Sequence, residues 1–413
     1  MHYNIRTLLF LACVFGEKFL SAQLVLRSFP QHSKYEDGAI IPNHVSQKQM
    51  DDSTGSFYNS WKESYINDDA GKGQYYIWTE GSTQNNICVS EGQGYGMMIV
   101  SLMAGYDTAA KKMYDGLFRY YKLHPVNANS TLMAWAQNKF FKNIDETSAS
   151  DGDIDIAYSL LIANAQWGSK GDINYYDEAR LLIAAIAKDE VNHKTYSILL
   201  SNAIEPDSRD YFDTRSSDFM PAHFKTFRKA TNDTLWDKVI DSNYNLFNFL
   251  QKKYSSEAGL IPDFIQHING SPIPAGPMFL ESKYDGSYNY NACRVPWRIA
   301  TDYIVNGDKR SKKIVDKINK WIKETTQGNP DNISAGYTLE GVDLKNRNFE
   351  AMSFISSFAV GAMTDKSNQQ WLNKLWDYIT GFGIDQYDYY DNSIKMLELI
   401  ILSGNYWAPD AEK

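Results

Sequence analysis

Helical periodicity recurs through almost the whole chain and restricts the fold more than any other feature. Apolar residues return at three- and four-residue intervals in segments 56–67, 91–105, 108–123, 151–167, 174–190, 221–230, 232–255, 290–306, 309–326, 349–363, 367–380 and 391–402. In 172–187, for example, Leu181, Leu182, Ala185 and Ile186 share one helical face, and Asp172 stands where a cap belongs. Strand-like alternation is scarce. Its best example is 195–200 (TYSILL), read as part of a small hairpin on a loop. The expectation is an all-α fold. No shift in composition divides 54–413, which reads as a single domain, whereas 23–53 is polar, carries Pro30, Gly38 and Pro42, and reads as an extended arm. About twelve helices in pairs fit either an irregular helical domain or six hairpins closed into a ring, and the pattern alone does not choose between them.

The first 22 residues read as a secretory signal peptide: Arg6, an apolar stretch at 7–16, then the small residues Ser21 and Ala22. A secreted, extracellular protein is the expectation. Cleavage there would leave Cys88 and Cys293, whose pairing the sequence leaves open, so the core must carry stability. No internal apolar run reaches membrane-spanning length. A net charge of −9 disfavours nucleic acid as a partner. Aromatic residues make up 14% of the chain, and Trp and Tyr are what a sugar-binding cleft uses to stack on the apolar faces of pyranose rings.

Metal and cofactor chemistry finds no footing. There is no His-Glu-x-x-His, Cys-x-x-Cys or phosphate loop, and no Gly-x-Ser-x-Gly elbow. What remains are carboxylates in apolar or glycine-rich settings. Glu91 opens Glu91-Gly-Gln-Gly-Tyr-Gly-Met97 beside Ile87, Val89 and Met98, surroundings that would raise a carboxyl pKa as a general acid requires. Its plain reading is a first-turn acid at a helix N-terminus. Three glycines in that turn are costly, which suggests room for a ligand close to the backbone. Asp151-Gly-Asp153-Ile-Asp155 starts like a calcium loop but lacks the glycine and glutamate that would complete one. A third group places Glu281 and Asp285 in a loop with Tyr284, Tyr288 and Tyr290, followed by Arg294 and Arg298. Acids separated in sequence, each in an aromatic-rich loop at a helix start, fit hydrolysis of a glycosidic bond.

Several blocks together resemble glycoside hydrolase family 8: Glu91-Gly-Gln-Gly-Tyr-Gly-Met97, Leu132-Met-Ala-Trp135, Asp151-Gly-Asp-Ile-Asp-Ile-Ala-Tyr158, Gln166-Trp-Gly168, Arg215-Ser-Ser-Asp218-Phe-Met-Pro221 and Tyr290-Asn-Ala-Cys-Arg294-Val-Pro-Trp-Arg-Ile-Ala300. The likeness runs in order from about Tyr58 to Trp407. It implies an (α/α)6 barrel of six inner and six outer helices with a cleft across one end, and an inverting mechanism. Carried onto this chain, Glu91 becomes the general acid and Asp151 holds the sugar before the scissile bond. Many members place their base at the position of Asn291, which cannot accept a proton usefully. The asparagine-type subfamily, which includes chitosanases and chitosanase–glucanases, uses a glutamate in the loop upstream. That makes Glu281 the expected base and Asp285 the runner-up. Trp135, Asp218, Asp285, Tyr288, Asn291 and Arg294 are the expected substrate-binding residues.

The resemblance implies an endo-acting hydrolase of β-1,4 linkages in chitosan or β-glucan, acting as a monomer without cofactor or metal. Spare carboxylates such as Asp218 and Asp285 would suit the ammonium groups of chitosan. The alternatives are an endo-β-1,4-glucanase or licheninase lacking chitosanase activity, a polysaccharide lyase on the same barrel type, and a non-catalytic glycan-binding descendant. The last would be expected to lose Glu91 or Glu281, and both are present.

Overall fold

The first helix starts earlier than its apolar residues suggest. Ser46 and Gln49 form a capping box, each side chain bonded to the other's backbone N–H, and α1 runs Gln47–Tyr65 from there. Its first three residues, Gln47, Lys48 and Gln49, are polar, and the arm expected to reach residue 53 ends at Ser46. Among the described residues eleven more helices follow: α2 (Ser90–Leu102), α3 (Ala110–Leu123), α4 (Ser150–Trp167), α5 (Tyr175–Asp189), α6 (Pro221–Thr231), α7 (Leu235–Tyr254), α8 (Val295–Asn306), α9 (Lys309–Thr325), α10 (Met352–Ala362), α11 (Gln369–Gly381) and α12 (Tyr389–Leu402). The computed structural model describes residues 25–80, 86–344, 350–384 and 388–409. The segment read as a signal peptide, 1–22, lies outside the described residues.

Burial separates the helices into two sets. In α2 every residue but Glu91 is buried, α10 is buried throughout, and α4, α8 and α12 are nearly so. The odd-numbered helices are two-faced: α9 buries Ile314, Val315, Ile318 and Ile322 and leaves Lys309, Lys313 and Lys320 in solvent. Packing runs α2 to α4, α6, α8, α10 and α12, and α12 returns to α2, which closes the ring. Each inner helix also packs on an odd-numbered partner. The fold is an (α/α)6 barrel. Among the described residues no helix is long and apolar enough to cross a membrane.

Short antiparallel ribbons decorate the connections. β1 (Ile66–Asn67) pairs with β2 (Tyr76–Ile77), and β3 (Asn86–Val89) with β4 (Ala136–Asn138); β6 (Phe264–Gln266) lies between β5 (Thr214–Arg215) and β7 (Ile273–Pro274). The strand expected at 195–200 is absent. Asn192 Oδ1 accepts the backbone N–H groups of Lys194 and Thr195, which turns the chain, and only an isolated bridge between Val191 and Ile198 survives. Cys88 on β3 and Cys293 before α8 are buried free thiols.

The two ends of the barrel differ. At one end the arm crosses the C-termini of the inner helices: N–H groups of Leu26, Phe29, Ser33, Glu36 and Ile40 donate to carbonyls of Gln166, Ala104, Gly404, Ile304 and Met363. These bonds satisfy carbonyls that helix ends leave without intrahelical donors. The other end presents the N-termini of the inner helices, and there the expected site residues gather.

Candidate active site

Glu91 enters the site because β3 runs directly into α2, leaving it in the first helical turn with a side chain 16% exposed. Arg294 Nη1 donates to its Oε2 at 2.7 Å, and the Tyr389 hydroxyl donates to its Oε1 at 2.5 Å. Burial pushes the carboxyl up to about 7; the Arg294 charge opposes this and the Asp151 charge adds to it. A carboxyl that holds its proton near neutrality beside an open edge is equipped to donate it.

The glycines beside Glu91 have another purpose than the one expected. A Cβ on Gly94 would lie 2.8 Å from Asp155 Cβ and 3.1 Å from the Gly152 carbonyl, and one on Gly96 would lie 2.2 Å from Ile77 Cδ1. They let α2 approach α4 and β2, not a ligand.

Asp151 occupies the first turn of α4 and is buried. Its Oδ2 accepts from Arg294 Nη1 at 2.9 Å, and Arg215 Nη2 lies 3.1 Å from its Oδ1. Burial alone would raise this carboxyl, but the guanidinium groups of Arg215 and Arg294 outweigh it and hold Asp151 at about 2. Two carboxyls bridged by one arginine are therefore driven in opposite directions, Glu91 toward its protonated form and Asp151 toward its ionised one. The other two aspartates of the block turn to structural partners. Asp155 is gripped by Arg298 Nη1 and Nη2 at 2.9 and 2.5 Å, and Asp153 Oδ1 accepts the Met133 N–H.

Glu281 lies on an exposed loop, and Asn291 Nδ2 donates to its Oε2 at 2.8 Å. Asn291 Oδ1 in turn accepts from Arg294 Nη2 at 2.9 Å. Glu91, Arg294, Asn291 and Glu281 thus form one continuous side-chain chain, with the two glutamates at its ends. Trp135 is part-exposed, with its indole N–H on Asp145, and its backbone carbonyl accepts the N–H of Ser90 next to Glu91.

Three expected substrate contacts do not hold. Asp285 is fully buried, and its carboxylate accepts the backbone N–H groups of Leu280, Glu281 and Ser282, so it folds the Glu281 loop and is neither ligand nor base. Asp218 is fully buried, and its Oδ1 accepts from Arg215 Nε at 2.9 Å. Tyr288 is fully buried and its ring packs on Phe354 and Phe358, while its backbone bridges to Tyr337. The chain turns after Tyr288, so Tyr288 points inward while Tyr290, two residues on, is 38% exposed. Sequence reasoning missed Arg215 and Tyr389 as site residues. Arg215 stood inside a quoted block, and its place three residues before Asp218 was the available signal; Tyr389 reaches Glu91 across 298 positions and had none.

Comparison with known proteins agrees with this geometry. Residues 29–404 match the profile of the family described as Glycosyl hydrolases family 8. The chain is 45% identical over 382 residues to a beta-glucanase of Niallia circulans, covering 92% of this chain and 91% of that one. It is 40% identical over 396 residues to an endoglucanase of a Bacillus species, covering 93% and 82%. Among solved structures it is similar to the beta-1,3-1,4-glucanase of Paenibacillus sp. X4, with a TM-score of 0.88 and 44% identity over 93% of this chain and 99% of that one. A twelve-helix ring with its carboxylates at the N-termini of the inner helices, and a match along nearly the whole chain, place this protein in glycosyl hydrolases family 8 as a glycoside hydrolase.

Proposed function

We propose that this chain is an inverting endo-β-glucanase acting on β-1,4 linkages in neutral glucans, with Glu91 as general acid and Glu281 as general base. The observation that carries the reading is the chain of contacts from Glu91 through Arg294 and Asn291 to Glu281. It sets a proton-holding acid in the barrel mouth and a carboxylate on the loop above it. Glu91 donates to the glycosidic oxygen while Glu281 removes a proton from water on the opposite sugar face, an arrangement that needs carboxyls roughly 6.5–9.5 Å apart. Arg294 then steadies the carboxylate left on Glu91. Asn291 does not take the proton; it orients Glu281. Asp151, kept ionised, favours the positive charge that develops on the sugar ring. Trp135 offers a stacking face for a neighbouring sugar.

Neutral glucan is preferred over chitosan because the carboxylates expected to receive ammonium groups are engaged within the protein, Asp218 by Arg215 and Asp285 by backbone N–H groups. The relatives named as beta-glucanase, endoglucanase and beta-1,3-1,4-glucanase support the same preference. Export from the cell by the N-terminal segment and action as a monomer belong to the same proposal.

The test is a reducing-end screen on lichenan, carboxymethyl-cellulose and chitosan, with the product anomer followed by NMR and unsaturated sugars by absorbance. Release from lichenan or carboxymethyl-cellulose with α-anomeric product is expected. Products that retain the β configuration, unsaturated ends, or activity on chitosan alone would refute it.

A further inference from the structure

Asp153 and Glu190 take no part in the scheme above, yet both are fully buried. Each uses one oxygen to hold a loop. Asp153 Oδ1 accepts the backbone N–H of Met133 at 2.9 Å, and Glu190 Oε1 accepts the Ser148 hydroxyl at 2.5 Å. The remaining oxygens, Asp153 Oδ2 and Glu190 Oε2, are buried and receive no donor from any other group. The two carboxyls are each other's hydrogen-bonding neighbours. Two carboxylates in that position repel; a single proton between them satisfies both oxygens.

Among the described residues neither carboxyl forms an ion pair with a cation that could take the place of that proton. Asp151 on the same helix and Asp218 in the turn before α6 face the pair with negative charge, and Tyr121 of α3 faces Asp153 with a phenol. Arg215 is engaged by Asp151 and Asp218. Burial pushes both carboxyls upward. The Glu190 charge raises Asp153 further, and burial raises Glu190 although the hydrogen bonds from Ser148 and Asp153 oppose the shift.

The loops that the pair joins both border the active site. Met133 leads to Trp135, whose carbonyl accepts the Ser90 N–H next to Glu91. Ser148 lies three residues before Asp151, and its backbone and hydroxyl are tied to Asn202. We propose that Asp153 and Glu190 are positioning residues, a carboxyl–carboxylate pair whose one shared proton locks the Trp135 segment to the start of the Asp151 helix and so sets sugar binding on that side of the cleft. The kinetic consequence rests on the glucanase reading; the shared proton does not.

Glu190→Gln tests this, because its amide oxygen can still accept from Ser148 while its N–H₂ donates to Asp153 and cannot be lost. The wild-type KM for lichenan is expected to rise about fivefold as pH passes the loss of the proton, the ratio a single neutral hydrogen bond is worth. In Glu190→Gln the KM stays flat across the same range, while the kcat limb governed by Glu91 remains. A wild-type minus variant infrared difference spectrum at pH 7 should contain a protonated-carboxyl band that fades as rising pH removes the shared proton. Absence of that band, or identical KM–pH profiles, would overturn the proposal. If Glu190→Gln does not fold, Asp153→Asn makes the same comparison, since it keeps the acceptor for Met133 and donates to Glu190. A protein that shows the infrared band but leaves glucan uncut refutes the glucanase reading alone.

Discussion

Glu91→Gln should make the protein more stable and nearly inactive at the same time, and the two effects should separate along the pH axis. The wild-type carboxyl moves from an ordinary 4.5 to about 7 on folding. At 1.36 kcal/mol per unit this is about 3 kcal/mol of preference for the protonated form, trimmed by the exposed edge of the side chain. The folded-state value is raised, so this stabilisation is complete below pH 4.5 and is lost as pH rises through about 7. Above that, wild type carries the full cost of a buried carboxylate and the glutamine variant carries none. Its amide oxygen keeps the Arg294 bond, and the Tyr389 hydroxyl can turn to accept from the amide. The melting temperature of the variant minus that of wild type should therefore climb between pH 4.5 and 7 and level off beyond. For a chain of this length the plateau is about 3–5 °C by scanning calorimetry, taking roughly 1–2 °C per kcal/mol. Over the same range kcat on lichenan should fall by roughly 10²–10⁴, since the amide has no proton to give. A melting-temperature difference independent of pH, or a rate close to wild type, would refute the assignment of a buried, proton-holding acid.

Three other perturbations probe other parts of the molecule. Glu281→Gln should lower kcat by roughly 10²–10⁴ with KM within a few-fold, and a variant that keeps its rate would remove Glu281 as the base. Arg298→Met strands the Asp155 carboxylate in the core and should cost about 3–5 kcal/mol in urea denaturation. Because Arg298 and His223 hold Asp155 below the usual carboxylate range despite burial, that loss is greatest near neutrality and should shrink in acid. Gly94→Ala should lower the urea midpoint by an amount worth roughly 1–3 kcal/mol, since the new methyl group meets Asp155 and the α4 backbone; an unchanged midpoint would show that α2 can shift.

Which features the sequence revealed follows from how far each one reaches. A helix with an apolar stripe is a local fact, and each of the twelve expected segments carries one helix. The exception at the start of α1 is also local: Gln47, Lys48 and Gln49 show no stripe, and the Ser46-x-x-Gln49 capping box was the cue that went unread. Ring closure is not local, because it rests on α12 meeting α2, and only the resemblance pointed to it. Glu91 and Asp151 were legible because they sit in unusual blocks at helix starts. Their opposite protonation was not, because it depends on Arg215 and Arg294 arriving from elsewhere in the chain. Tyr288 and Asp285 misled for one reason: residue type suggests sugar contact, while the backbone turns both inward.

The arm beneath the barrel has a consequence for the order in which the chain can fold. Gln31 and His32 bond to the side chain of Asn405 across more than 370 positions, and Ser33 bonds to the Gly404 carbonyl. Those partners follow all twelve described helices in the chain, so the arm waits until the whole barrel has been synthesised to meet them. Until they appear, the floor of the ring has no cover and the C-termini of the inner helices face water or a chaperone. Closure is thus a late event of very long contact order, expected to be slow and to limit the rate of folding.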